Sequence, residues 1–274
     1  MKKNISVFAL LALLLSLAVA AQQQPTAYSL VHSTANPKHV DSIKAAIRGI
    51  DAHVFQPYQF RTIKYRLLTP LSVGRNKRYP LVLVLHGSGA VGTDNISQLG
   101  ILAKMWAMQD IRKDYPAYVV APQFPERSSN YVMDSIRGML VSVPGPNTNT
   151  VLQLIDSLKQ VLSVDTNRIY VIGFSMGASS VYNSIGLRPG LFAAGVAVSG
   201  IPDFNHLPVL ASTPLWTIHG NADHENPFRT DSLLQQTLRG SRQRFWEADQ
   251  LGHEIYSELY TTAILPAWLF SQQR

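Results

Sequence analysis

The polarity pattern of this chain is a series of short apolar runs separated by stretches of helical periodicity. Residues 81–85 (Leu-Val-Leu-Val-Leu), 118–122, 168–172 and 192–198 are apolar and rich in β-branched side chains, and each is bounded by turn-forming residues. Runs of four to eight such residues are the pattern of strands buried on both faces, as in a parallel sheet. Residues 215–218 and 243–247 extend the series. Between the runs, apolar residues return every three or four positions. Val151, Leu152, Ile155, Leu158, Val161 and Leu162 predict a helix over 150–162, and residues 178–185 predict another. Asn226-Pro227 opens a helix toward Leu238, with Gly240 at its end. Upstream, apolar positions 40, 43, 46, 47 and 50 predict a short peripheral helix, and alternation over 60–68 predicts one or two strands. Residues 96–114 read as a helix capped by Asn95, and 255–270 as a final helix interrupted near Pro266. Strands alternating with helices predict an α/β fold: a doubly wound, mostly parallel sheet flanked by helices, without a large cap domain.

Some segments depart from this rhythm. Residues 22–37 read as a polar leader broken by Pro25 and Pro37. Residues 123–149 are rich in Pro, Ser, Gly and Asn and read as a long loop. Phe124, Tyr131 and Met133 give it apolar surface to pack, as a wall of a site. The N-terminus has Lys2 and Lys3, an apolar stretch over 5–19, and small residues at Ala18-Val19-Ala20 and Ala21. That is the pattern of a secretory signal peptide. The expected organisation is a signal peptide over 1–21, a leader and peripheral helix over 22–55, and a catalytic domain over 56–274. No later stretch is long and apolar enough to cross a bilayer, so the expected mature chain is exported, secreted or periplasmic, with no membrane span.

Composition narrows the function classes. With 274 residues, 46% hydrophobic and 15% charged, the chain can bury a substantial core. Cysteine is absent, which excludes disulfides, thiolate metal sites and a cysteine nucleophile. The net charge of +7 comes from scattered Lys and Arg, without the basic clusters and interleaved aromatics of a nucleic-acid footprint. The eight histidines have no metal-ligand spacing, and no phosphate-binding glycine loop follows a strand, so no metal and no cofactor are expected.

The chemistry centres on Gly173-Phe174-Ser175-Met176-Gly177, between the apolar run at 168–172 and the helix at 178–185. In the strand–turn–helix context of a G-x-S-x-G motif, the sharp turn lifts the serine hydroxyl out of the fold and the helix behind it points N–H groups toward a developing oxyanion. A serine hydroxyl needs a base, and the base needs an orienting acid. His253, in Leu251-Gly252-His253-Glu254, is the histidine beyond the last strand and is the expected base. Asp223, just past the strand at 215–218, is the expected acid; Asp203, Glu225 and Glu254 compete for that role. The expected oxyanion donors are the N–H of Met176 and of Ser88, in His86-Gly87-Ser88-Gly89 after the strand at 81–85. His86 reads as a brace for its turn. Leu85-His86-Gly87 and Ile218-His219-Gly220 look alike, and both read only as strand ends meeting loops.

These pieces together resemble the α/β-hydrolase superfamily, most closely the secreted esterase branch near dienelactone hydrolases, polyhydroxybutyrate-depolymerase-like esterases and feruloyl esterases, often labelled predicted peptidases. The resemblance rests on Tyr79-Pro80 leading into Leu85-His86-Gly87-Ser88-Gly89, on Gly92-Thr93-Asp94-Asn95, and on Ala121-Pro122-Gln123. It continues with residues 168–177, His219-Gly220 with Asp223 and Pro227, and Gly252-His253. It implies Ser175 as nucleophile, Asp223 as acid and His253 as base. Ala178 replaces a glycine often seen there, and serine replaces the cysteine of true dienelactone hydrolases. The expected activity is hydrolysis of carboxylic esters, with short or aromatic acyl groups on small or polysaccharide-linked substrates. The alternatives are a serine peptidase of the prolyl-oligopeptidase-like type and a non-catalytic binding module on the same fold.

Overall fold

The computed structural model describes residues 27–238 and 242–274. The expected signal peptide, the start of the leader and the helix stop at Gly240 lie outside the described residues. In chain order the structure runs β1 (Ala27–Val31), α1 (Pro37–Gly49), β2 (Gln56–Phe60), β3 (Ile63–Leu68), β4 (Tyr79–Leu85), α2 (Ile101–Lys104), α3 (Gln109–Asp114) and β5 (Tyr118–Gln123). There follow β6 (Ser129–Asp134), β7 (Met139–Pro144), α4 (Thr148–Val161), β8 (Val164–Phe174), α5 (Met176–Leu187), β9 (Ala194–Val198) and α6 (Leu207–Ser212). The chain closes with β10 (Leu215–Gly220), α7 (Phe228–Thr237), β11 (Gln243–Ala248), α8 (Glu258–Thr261) and α9 (Ile264–Phe270).

The main sheet has the order β1-β11-β10-β9-β8-β4-β5-β3-β2. Its strands pair in parallel from β1 to β5, while β3 and β2 are antiparallel to their neighbours. The apolar runs sit at its centre because both faces are covered. Leu81, Leu83, Leu85, Ile169 and Val171 join the core on one face; Val82, Val84, Tyr170 and Ile172 join the core on the other. Side chains alternate across a strand, so only an unbroken apolar run satisfies both.

The topology also locates the site. After β4 the chain moves to β5 on one side, and after β8 it moves to β9 on the other, while β4 and β8 are neighbours. Strand order therefore reverses between them, and the loops at their carboxyl ends diverge to leave a crevice. Those loops carry His86–Ser88 and Ser175.

Four expectations are corrected. The leader contains an edge strand, β1, paired in parallel with β11 from Ala27↔Arg244 to Val31↔Ala248. Residues 123–149 are not a loop throughout: β6 and β7 form an antiparallel hairpin. The helix expected over 96–114 is two short helices, and Asn95 does not cap it. Asn95 is buried with φ 59°; its N–H donates to Gln123 Oε1 and its carbonyl accepts from Arg66 Nε. Asp94 instead shapes the turn before α2, accepting from the N–H groups of Ile96 and Ser97, and α2 starts only at Ile101 after Gly100. The final helix breaks at Thr262 and Ala263, not at Pro266, which sits in the first turn of α9 where no intrahelical N–H is required. Among the described residues no helix is long and apolar enough to cross a membrane.

Candidate active site

The turn after β8 is built by close approach. A Cβ on Gly173 would collide with the carbonyl of Gly177, and a Cβ on Gly177 with the carbonyl of Leu85 in β4. The two glycines let β8 bend directly into α5 against its neighbour strand. Ser175 sits at the bend with φ 58° and ψ −123°, a conformation that costs a side-chain-bearing residue about 1–3 kcal/mol. Its N–H donates to Val198 O at 2.9 Å, fixing the turn to β9. Met176 is the first residue of α5, so its N–H has no intrahelical partner.

The structure brings Ser175, His253 and Asp223 together across 78 and 30 residues of sequence. Ser175 Oγ lies 2.8 Å from His253 Nε2, and His253 Nδ1 lies 2.7 Å from Asp223 Oδ2. The Phe174 ring packs 5.0 Å from the imidazole of His253. The loops that carry Asp223 and His253 are held to each other by backbone: Ala222 N–H donates to Leu251 O, and Asn221 N–H to Ala248 O. The Asp223 side chain has no exposed surface. Burial pushes its carboxyl up, but donors from His219, His253 and the Asn226 N–H outweigh that and hold it well below the usual carboxylate range. Its second oxygen, Oδ1, accepts from the N–H groups of Glu225 and Asn226, both at 2.9 Å.

The other candidate acids go elsewhere. Asp203 is buried and accepts from Asn183 Nδ2, His206 Nδ1 and Asn205 N–H. Glu225 is 76% exposed and reaches only to 3.7 Å from His253 Nε2. Glu254 is exposed and lines a separate groove with Lys44, Asp41 and Tyr260.

The His86–Ser88 loop abuts the serine. A Cβ on Gly87 would rest 3.6 Å from both Ser175 Cβ and Phe174 O. Ser88 is exposed and opens a single 3-10 turn, Ser88–Ala90, so its N–H has no partner within that turn. His86 braces the loop: Nδ1–H donates to Gly87 O at 2.8 Å, and Nε2 accepts from Phe124 N–H at 3.0 Å. Beside it a cavity of about 250 Å³ is lined by Gly87, Ala90, Ile101, Phe174 and Ile255. The β6–β7 hairpin packs on α5 through buried hydroxyls and amides. Ser129 Oγ donates to Asn183 Oδ1, Asn183 Nδ2 to Ser142 Oγ, and Ser180 Oγ to Ser128 Oγ.

Three further residues of this site, His219, Asn226 and Asp231, are given no part in it by the sequence. His219 is fully buried, with Nδ1 2.7 Å from Asp231 Oδ2, and Nε2 2.9 Å from Asn226 O and 3.2 Å from Asp223 Oδ2. Asn226 ties the same loop to the sheet by donating its amide to Ser199 O. The sequence hints are the repeated His-Gly at two strand ends and the place of His219-Gly220 in the family resemblance; Asp231 lies on α7 with nothing in its neighbours to mark it.

The profile of the Phospholipase/Carboxylesterase family matches residues 145–263, a span that includes Ser175, Asp223 and His253. Acetylxylan esterase A of Emericella nidulans is 31% identical over 88 residues, 32% of this chain and 29% of that protein. A bifunctional acetylxylan esterase/xylanase of Neocallimastix patriciarum is 32% identical over 77 residues, 28% of this chain and 12% of that protein. The matched stretch thus spans less than a third of either relative. Among solved structures, a thermostable esterase superposes with a TM-score of 0.74 at 29% identity, over 81% of this chain and 64% of that one. Dipeptidyl peptidase 4 of Porphyromonas gingivalis shares the fold alone, with a TM-score of 0.57 at 16% identity, over 80% of this chain and 35% of that one. A mostly parallel sheet with G-x-S-x-G at its switch point, and relatives that are esterases, place the chain in the α/β-hydrolase superfamily.

Proposed function

We propose that this protein hydrolyses carboxylic esters through an acyl-enzyme on Ser175. The observation that carries the reading is the hydrogen-bonded chain from Ser175 Oγ through His253 to the buried Asp223 carboxylate. Ser175 Oγ attacks the ester carbonyl carbon as its proton passes to His253 Nε2. The N–H groups of Met176 and Ser88 receive the oxyanion. Collapse breaks the C–O bond, and His253 returns the proton to the departing alcohol. Water then loses a proton to His253, attacks the acyl carbon and releases the acid with Ser175 restored. Asp223 holds the imidazole in the tautomer that keeps Nε2 free to accept.

The proposed substrates are short or aromatic acyl esters on carbohydrate or similar polar molecules. The acetylxylan esterase relatives support the class. The connection between β9 and β10 carries one helix of 6 residues, too little for a cap that binds long acyl chains. The signal-peptide pattern of 1–21 supports action outside the cytoplasm. A panel of p-nitrophenyl esters beside peptide nitroanilides tests the reading. Esters are expected to turn over with kcat/KM falling from acetate toward palmitate, and without a jump in rate above the micelle threshold. Preferential cleavage of the anilides would establish a peptidase instead, and a steady rise toward palmitate would establish a lipase.

A further inference from the structure

Behind the Ser175–His253–Asp223 chain, buried charged contacts continue inward: His219 Nε2–H donates to Asn226 O at 2.9 Å and stands beside the Asp223 carboxylate. Asp223 Oδ2, which meets His253, also meets His219 Nε2 at 3.2 Å. The other ring nitrogen of His219 faces Asp231 Oδ2 at 2.7 Å, and Asp231 Oδ1 accepts from Tyr182 OH at 2.7 Å. The side chains of His219, Asp223 and Asp231 all have zero exposure, and Tyr182 is fully buried. Every acceptor around the His219 ring is a carboxylate or a backbone carbonyl. Carbonyls and ionised carboxylates offer no proton, so with Asp223 and Asp231 ionised both ring nitrogens donate. A neutral imidazole would leave a bare nitrogen against Asp231 or against Asn226 O and Asp223. With Asp223 and Asp231 ionised, the ring is an imidazolium between two carboxylates. The edge of the Phe228 ring closes the pocket, with centroids 5.8 Å apart at 87°.

We propose that His219 is a positioning residue for the proposed chemistry of Ser175: a fixed imidazolium, clamped by Asp231, that holds Asp223 ionised and oriented on His253. The inference rests on the ester-hydrolysis reading for its effect on rate, but not for the protonation state of the ring. One buried cation between two buried anions leaves a single net negative charge on the acid side. That charge is met when His253 takes the serine proton during turnover. Burial alone would push the His219 pKa down; the bonds to Asp223 and Asp231 outweigh it and raise it to about 9. The other groups facing this system are Glu225, 3.7 Å from His253 on the solvent side, and Tyr182, whose pKa burial pushes well above its ordinary value.

The test has an arm that needs no activity. In ¹⁵N-histidine-labelled wild-type protein, the His219 ring is assigned by its contacts to Phe228. It should keep protons on both nitrogens from pH 5 to 8. A single ring proton at pH 7 overturns the proposal. The second arm is kinetic. His219→Gln, which removes the cation beside Asp223, and Asp231→Asn, which removes the clamp on that cation, should each lower kcat/KM by about ten- to a hundredfold, the range for losing one charged interaction in a buried site. The fall should lie in kcat, with KM little changed. In His219→Gln the Asp223 carboxylate loses its cation, so the Asp223–His253 pair takes up its proton more readily. The acidic limb of kcat/KM should then move up by about one pH unit. A residue that merely packed would change stability without moving that limb. A folded His219→Gln variant with kcat/KM within about twofold of wild type, or with an unmoved limb, overturns the proposal. If Ser175→Ala kept its activity, the ester-hydrolysis reading would fall while the spectroscopic arm still reported on His219.

Discussion

His86 and His219 occupy the same kind of place and end up in opposite charge states. His86 directly follows β4 and His219 is the penultimate residue of β10, and each precedes a glycine. Around His86 one partner is a carbonyl and the other an N–H, so one nitrogen donates and the other accepts. The ring is neutral, and burial pushes its pKa down. Around His219 every partner is an acceptor and two are carboxylates. The lesson is that a buried histidine takes its charge from the polarity of its partners, and a dipeptide motif carries none of that information. His86 fixes the shape of the proposed oxyanion loop, whereas His219 sets the electrostatics of the proposed acid.

The comparison can be broken at several points. The largest expected effect is at the carboxylate His219 touches. Asp223→Asn should lower kcat on p-nitrophenyl acetate by about 10⁴-fold, as the equivalent change does in a Ser-His-Asp protease. Asp203→Asn should cost far less; the reverse ranking would move the acid to the loop after β9. Next comes His86. His86→Leu leaves the Phe124 N–H buried without an acceptor and should destabilise the fold by about 1–3 kcal/mol in urea titration. His86→Gln, which can still accept there, should recover much of that, and neither variant should move the acidic limb of kcat/KM. The smallest effect concerns stability against pH. The folded pKa of His219 lies near 9 against its ordinary 6.5, so its contribution is complete below pH 6.5 and lost as pH rises through 9. The gap in unfolding midpoint between wild type and Asp231→Asn should therefore narrow steadily from pH 6.5 to pH 9.

Legibility from sequence follows the same division. The central strands could be read because burial on both faces leaves no choice but apolar residues, as in Leu81 to Leu85. Ser175 and its glycines could be read because close backbone approach dictates them. The edge strand β1 could not: Tyr28 and Leu30 are about half exposed, so the segment reads as a polar leader. The β6–β7 hairpin hid because its buried positions mix Met139 and Val141 with hydroxyls, Ser129 and Ser142, that bond to Asn183 of α5, so no apolar alternation marks the strands. His219 and Asp231 were invisible as a pair because their contact joins the end of β10 to α7, and neither neighbourhood is unusual alone.

The most direct measurement for the central claim is covalent labelling with a fluorophosphonate, followed by peptide mapping. One adduct is expected, on Ser175, and it is lost in Ser175→Ala together with at least about 99% of kcat in a variant that remains folded. An adduct on another residue, or a Ser175→Ala protein that hydrolyses esters at more than about a hundredth of the wild-type rate, would contradict it.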